Sequence, residues 1–366
     1  MPLFKSFPIG VALTSVALAA AALSGNAFAA GDSMVKTGTK YKASQEMQGV
    51  LDTLGSLNGK PIETLEPIEA RQQPTPTDAV NAILKKQGKS VEPTTLVPGV
   101  SSKDMDIAGP TGPLAVRVYT PAGAGPFPIV VYYHGGGWVI ASKEVYDGGA
   151  RGISKQANAI VVSVDYRLAP EAKFPAQHDD SLATYKWAIV NAASINGDPK
   201  RLALMGESAG GNLAIATAMA ARDQGLQKPL HVVAVYPIAQ VANMSTPSYI
   251  DSATAKPLNK PMMAWFAKYT LAKAEDSQDP RINLIDANLN GLPAVTLISA
   301  QIDPLRSDAD LLEASLNKAG VKVEHKVYPG TTHEFFGMAA VVPAAKQAQA
   351  LAGKHLREAF KTSTTR

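Results

Sequence analysis

The sequence predicts an α/β protein with a mostly parallel central sheet and helices on both faces. Three observations carry this. Beyond Met105, short apolar runs alternate with helix-patterned segments, the arrangement that builds a parallel sheet through crossover helices. Some runs, such as Ile129-Val130-Val131-Tyr132-Tyr133, are apolar without alternation, as strands covered on both faces are. The chain has 366 residues, 46% of them hydrophobic, and no cysteine. It is long enough to rely on its core alone, and disulfide and thiolate chemistry are excluded.

In chain order, Lys5 precedes an apolar segment from about Ile9 to Leu23, and Ala27-Phe28-Ala29 follows as a small-x-small cleavage signal. Residues 1–29 therefore read as a signal peptide cut near Ala29, and export to the periplasm or the medium is expected. The segment is too short and too rich in Ala, Gly and Ser for a membrane span, which needs about 20 apolar residues, and no later segment qualifies. Residues 30–100 are poor in strand patterns. Helical stretches around Ser44 to Leu57 and Thr77 to Lys86 are separated by Gln72-Gln73-Pro74-Thr75-Pro76, whose prolines are expected to stop either helix. Strands are expected at Leu114 to Tyr119, Ile129 to Tyr133, Ala159 to Val164, Leu202 to Met205, His231 to Tyr236, Ala294 to Ser299 and Val321 to Val327. The first one or two should pair antiparallel at one edge. Between Tyr236-Pro237 and Leu292-Pro293 lies an insertion with Met262, Met263, Trp265, Phe266 and Tyr269 at helical spacing. These residues either pack a helix onto the core or line a substrate pocket.

Two glycine-rich motifs follow apolar runs. Gly206-Glu207-Ser208-Ala209-Gly210 comes after Leu202 to Met205 and opens a small-residue helix, the setting of a nucleophile elbow. A strand turning sharply into a helix projects the serine hydroxyl above the carboxyl edge of the sheet, and small neighbours let the turn close. His134-Gly135-Gly136-Gly137-Trp138 follows Ile129 to Tyr133. Its glycines allow backbone amides to approach a ligand, as an oxyanion hole requires, and each fixed donor there is typically worth about 3–4 kcal/mol in the transition state. A plain glycine turn would also fit. A phosphate loop would not, because neither G-x-x-x-x-G-K-[ST] nor G-x-G-x-x-G with an acidic partner occurs.

The serine needs a histidine base and an orienting carboxylate, in the chain order Ser, acid, His. Of six histidines, His134 and His178 precede the serine, His231 starts an apolar strand, and His325 and His355 fall within a strand and the C-terminal helix. That leaves His333, in the loop after Tyr328-Pro329-Gly330. Asp303 ends the strand Ala294 to Ala300 and can accept the ring N–H of His333. Asp308 and Asp310 fall on the next helix, and Glu334 adjoins the histidine and is expected to point elsewhere.

Other motif-like strings carry less. Gly337 stands where the second ligand of an H-E-x-x-H zinc site beginning at His333 would be, so no metal is expected. Ser315-Leu316-Asn317-Lys318 lies on an amphipathic helix face. Asn243-Met244-Ser245 matters as a glycosylation sequon only where the machinery exists. The formal net charge is +4 without a clustered basic run, so neither nucleic acid nor an anionic surface is implied.

Taken together, His134 to Trp138, Asp165-Tyr166-Arg167-Leu168-Ala169-Pro170-Glu171, Gly206 to Gly211, Asp303-Pro304-Leu305-Arg306 and His333 resemble the bacterial hormone-sensitive-lipase-like esterases of the α/β-hydrolase fold. The likeness runs over most of residues 100–340. It implies Ser208, Asp303 and His333 as the triad, and Gly135, Gly136 and Ala209 as oxyanion donors, with Asp165 to Glu171 as support behind the site. It also implies a cap built from the N-terminal helices and the insertion. The expected division is 1–29 signal peptide, 30–100 cap segment and linker, 101–238 and 291–366 hydrolase core, and 239–290 cap insertion. Trp138, Trp265 and Phe266 are candidate pocket residues.

Two positions depart from the family's usual Asp or Thr before the serine and Gly after the histidine. This chain has Glu207 and Glu334 there. Glu207 to Gly211 is also the elbow of type-B carboxylesterases, but the short chain and Tyr166 to Glu171 favour the first family. The expected activity is hydrolysis of short- to medium-chain acyl esters through an acyl-enzyme. No cofactor is expected, the partner is a small-molecule ester, and the protein is expected as a monomer or homodimer. An amidase or peptidase could use the same triad. A non-catalytic binding protein on this fold would usually have lost a triad member.

Overall fold

The structure is a computed structural model describing residues 40–362, so the segment expected to be a signal peptide lies outside the described residues. Eight strands form one sheet: β1 Val100–Ala108, β2 Pro113–Pro121, β3 Phe127–Tyr133, β4 Ile160–Val164, β5 Gly197–Glu207, β6 Val232–Val235, β7 Val295–Ile302 and β8 Val323–Thr332. Their order is β1-β2-β4-β3-β5-β6-β7-β8. β1 pairs β2, and β2 pairs β4, antiparallel; every pairing from β4 through β8 is parallel. The antiparallel edge matches expectation, but β1 was not among the expected strands. Its middle, Ser101 to Asp104, is polar and exposed, so no apolar run announces it.

The α-helices are α1 Gln45–Ser56, α2 Pro67–Ala70, α3 Pro76–Lys86, α4 Pro93–Leu96, α5 Asp147–Ala157, α6 Ala176–Asn191, α7 Ala209–Asp223, α8 Pro247–Asp251, α9 Lys260–Thr270, α10 Arg306–Lys318 and α11 Pro343–Thr362. All seven residues of β3 and all five of β4 are buried, and alternate side chains serve opposite faces. Ile129, Val131 and Tyr133 join a core completed by α6, α7 and α10, whereas Val130 and Tyr132 join one completed by α5 and α11. Apolar runs without alternation thus reflect two cores sharing one sheet.

The N-terminal helices start differently from expectation. Pro76 does not stop α3 but opens it, behind the N-cap Thr75, whose hydroxyl and the Asp78 carboxylate form a capping box. Proline loses nothing at a first-turn position, where the amide N–H has no helical partner. This segment meets the insertion through three side-chain bonds. Trp265 Nε1 donates to the Leu65 carbonyl at 2.9 Å, Asn259 Nδ2 to Glu63 Oε1 at 2.9 Å, and the Tyr269 hydroxyl to Glu66 Oε2 at 3.0 Å. Arg71 ties the same segment to the sheet edge by donating to the carbonyls of Val139 and Ala169 and, bidentately, to Glu171.

Candidate active site

Parallel strands deliver their following loops to one edge of the sheet, so residues far apart in sequence meet there. Ser208 stands between β5 and α7 at φ 57°, ψ −118°, a conformation that side chains rarely adopt and that marks a held, functional turn. Glycines make the turn possible. A Cβ on Gly206 would lie 2.0 Å from the Gly210 carbonyl oxygen, and one on Gly210 2.0 Å from that of Tyr133.

The loop after β8 brings His333 Nε2 to 2.9 Å from Ser208 Oγ, and its Nδ1 lies 2.6 Å from Asp303 Oδ2. Asp303 follows β7 and is fully buried, and its other oxygen accepts from the Leu305 amide at 2.8 Å. With Nδ1–H donating to the carboxylate, Nε2 keeps its lone pair for the serine hydroxyl. Burial pulls the His333 imidazole down, but the charge and hydrogen bond of Asp303 push it up, and the net displacement is above its ordinary value. Asp308 makes no such contact. It is buried on α10, accepting from the Ala239 amide and Gln240 Nε2, and burial pushes it up to about 8.

Ser208 and His333 open into a cavity of about 570 Å³. Gly136 and Gly137, at φ 92° and 58°, border it with Leu51, Leu54, Ile62 and Phe266. Gly135, expected at the oxyanion position, does not border it. Its Cα faces backwards, where a Cβ would strike the Tyr146 hydroxyl at 2.2 Å. Ala209 opens α7 immediately after the serine. Of the three aromatic residues proposed for the pocket, only Phe266 lines it. Trp138 is fully buried in the core, because φ 63° turns the chain inward after the glycines. Trp265 is spent on its bond to Leu65 and packs against Phe266 and Tyr269.

The string Asp165 to Glu171 buttresses the glycine loop. Asp165 accepts from the Lys143 amide and ammonium, the Tyr166 hydroxyl donates to the His134 carbonyl at 2.8 Å, and the Tyr166 ring stacks on His134 at 4.3 Å. Arg167 clamps the buried Asp180.

Sequence reasoning missed a second acidic layer behind the triad. Both oxygens of Glu207 accept from tyrosine hydroxyls, one from Tyr132 and one from Tyr236, with no cation in contact. Burial pushes this carboxyl up to about 8. The Tyr236 ring packs 4.4 Å from the His333 imidazole. Glu334, at φ 70°, accepts from the Tyr146 hydroxyl at 2.5 Å, and burial raises it too. Tyr146 and Glu334 stand between the first cavity and a second one of about 540 Å³, which Glu207 also borders. The signal for this layer was present in the two positions that depart from the usual motifs.

A family model described as the alpha/beta hydrolase fold matches residues 130–337. Carboxylesterase NlhH of Mycobacterium tuberculosis is 40% identical over 240 residues, covering 64% of this chain and 75% of that protein. Ethyl acetate hydrolase of Pseudomonas putida is 32% identical over 295 residues, covering 78% and 88%. Among solved structures, a hyperthermophilic esterase from the archaeon Pyrobaculum calidifontis superposes with a TM-score of 0.78 at 31% identity, over 87% of this chain and 98% of its own. The match across the sheet, the elbow and the loops that meet above it places this chain in the hormone-sensitive-lipase-like esterase family of the α/β-hydrolase fold.

Proposed function

We propose that the protein hydrolyses short- to medium-chain carboxylic esters by two-step acyl transfer on Ser208. His333 Nε2 takes the hydroxyl proton as Ser208 Oγ bonds to the ester carbonyl carbon, and Asp303 stabilises the imidazolium that forms. The amides of Gly136, Gly137 and Ala209 hold the oxyanion. Gly137 replaces Gly135 in this role because Gly136 and Gly137 border the cavity. His333 then protonates the departing alkoxide. Water, losing its proton to His333, attacks the acyl-enzyme carbonyl, and Ser208 recovers that proton as the acid leaves.

The single observation that carries this function is the continuous hydrogen-bonded chain Ser208–His333–Asp303 opening into a cavity. A volume of about 570 Å³ suits a small molecule, and the likeness to an ethyl acetate hydrolase supports short acyl groups. The described part of segment 30–100 and the insertion 239–290 act as a cap that excludes water. Export after cleavage near Ala29 is part of the proposal, and the N-terminal residue of protein recovered from the periplasm or medium would test it.

The activity test is hydrolysis of p-nitrophenyl acetate, butyrate, octanoate and palmitate by residues 30–366 beside Ser208→Ala. Turnover of the short esters, abolished in Ser208→Ala, is expected. Turnover that survives the substitution, or none from folded protein, would overturn the proposal.

A further inference from the structure

Glu334 takes no part in acyl transfer, yet it occupies the wall of the reaction chamber. It directly follows His333 and shares the cavity with His333 and Ser208. Its backbone sits at φ 70°, where glycine is favoured and a side chain is held at a conformational cost. One of its oxygens, Oε1, accepts from the Tyr146 hydroxyl. Among the described residues none donates to the other oxygen, and Glu334 keeps partial exposure while bordering both cavities, which leaves Oε2 available as an acceptor. The same cavity is also lined by the apolar side chains of Ile140, Ala141, Val145, Met262 and Phe266.

The remaining charges on this wall narrow the ligand. Lys60, Arg71 and Lys256 border the same cavity, with Glu63 as the other acid. An ammonium-bearing ester would meet these cations, and a carboxylate-bearing one would face Glu334. A neutral hydroxyl avoids both conflicts and can donate to Oε2. A substrate without such a group expels water from Oε2 and leaves a polar atom unpaired, the kind of penalty from which enzymes draw their strongest discrimination.

Resting on the esterase function above, we propose that Glu334 is a specificity-determining residue whose free carboxyl oxygen accepts a hydrogen bond from a hydroxyl near the ester bond. The enzyme then prefers hydroxyl-bearing esters to unsubstituted alkyl esters of matched length.

The test compares kcat/KM within two pairs, ethyl 3-hydroxybutyrate against ethyl butyrate and 2-hydroxyethyl acetate against ethyl acetate. The first pair places the hydroxyl on the acyl side, the second on the alcohol side. Wild type, Glu334→Gln and Glu334→Gly are measured. The left-handed backbone suits glycine, so Glu334→Gly should fold, and the ratio within each pair cancels any general loss of activity. Wild type is expected to favour the hydroxyl ester by about 10-fold or more in at least one pair. That ratio should fall to about 1 in Glu334→Gly and be partly kept in Glu334→Gln, whose amide oxygen still accepts. A wild-type ratio near 1 in both pairs, or one unchanged in Glu334→Gly, would overturn the proposal while p-nitrophenyl butyrate turnover left the esterase function standing. Absence of turnover on every ester would remove both.

Discussion

Replacing Glu207 by Gln should make the protein progressively more stable than wild type as the pH rises. The carboxyl is fully buried among hydroxyls, without a cation in contact, and its folded value of about 8 lies far above the ordinary 4.5. Between those values the unfolded chain has released the proton and the folded protein still holds it. The stabilisation is therefore complete below about pH 4.5 and is lost as the pH rises through about 8. At about 1.4 kcal/mol per pH unit, wild type should lose roughly 4 kcal/mol relative to the uncharged amide between pH 5 and 9. Unfolding entropy of about 2.1 cal/mol/K per residue turns this into a gap in Tm that widens by roughly 6 °C. The amide, like the protonated carboxyl, makes one tyrosine accept rather than donate, so it stands in for the protonated form at every pH. Thermal unfolding of both proteins at pH 5, 7 and 9 measures the difference directly. A gap that changes by less than about 1 kcal/mol over this range would show that Glu207 ionises normally and that its burial has been misjudged.

Two further outcomes are expected. Asp303→Asn should fold normally, lose about 10³–10⁴ in kcat, and shift the rise of kcat/KM with pH to a lower midpoint, because Asp303 holds the His333 imidazole above its ordinary value. An unmoved midpoint would place the orienting charge elsewhere. Gly137→Ala puts a Cβ 2.2 Å from the Phe266 ring at φ 58° and should cost about 1–3 kcal/mol in denaturant unfolding with a raised KM. Gly225→Ala, at a similar φ of 63° but in open space, should cost only about 1 kcal/mol, and equal effects would remove the packing explanation.

The hydrogen-bonded grouping of Ser208, His333 and Asp303 was legible in the sequence because each residue sits just beyond the end of a strand, and strand ends are what the fold brings together. Ser208 follows β5, Asp303 follows β7 and His333 follows β8. The polar edge strand β1 was not legible, since half its surface faces water and it lacks the run that marks β3 or β4. Trp138 was misplaced for a different reason. A glycine loop specifies that a turn occurs, but only the turn's actual dihedrals show that the indole goes into the core. The bonds of Glu207 to Tyr132 and Tyr236 join β5 with its two flanking strands β3 and β6. No local pattern encodes such a triplet, because it exists only once the strand order is known. The choice between Gly135 and Gly137 likewise depends on which Cα faces the cavity.

The bonds between Leu65 and Trp265, and between Glu63 and Asn259, also constrain the protein during synthesis. They join the N-terminal helices to the insertion across some 200 residues of chain. A ribosome delivers residues 45–86 first, and it must add β1 to β6 before residues 259–269 emerge, with β7 and β8 still to follow. Throughout that interval Met47, Val50, Val80 and Leu84, buried in the finished protein, lack the completed sheet, because β8, which α1 packs beside, has not been made. At about 5–20 residues per second the wait lasts on the order of ten seconds or more, and in that window this chain most needs a chaperone to cover its beginning.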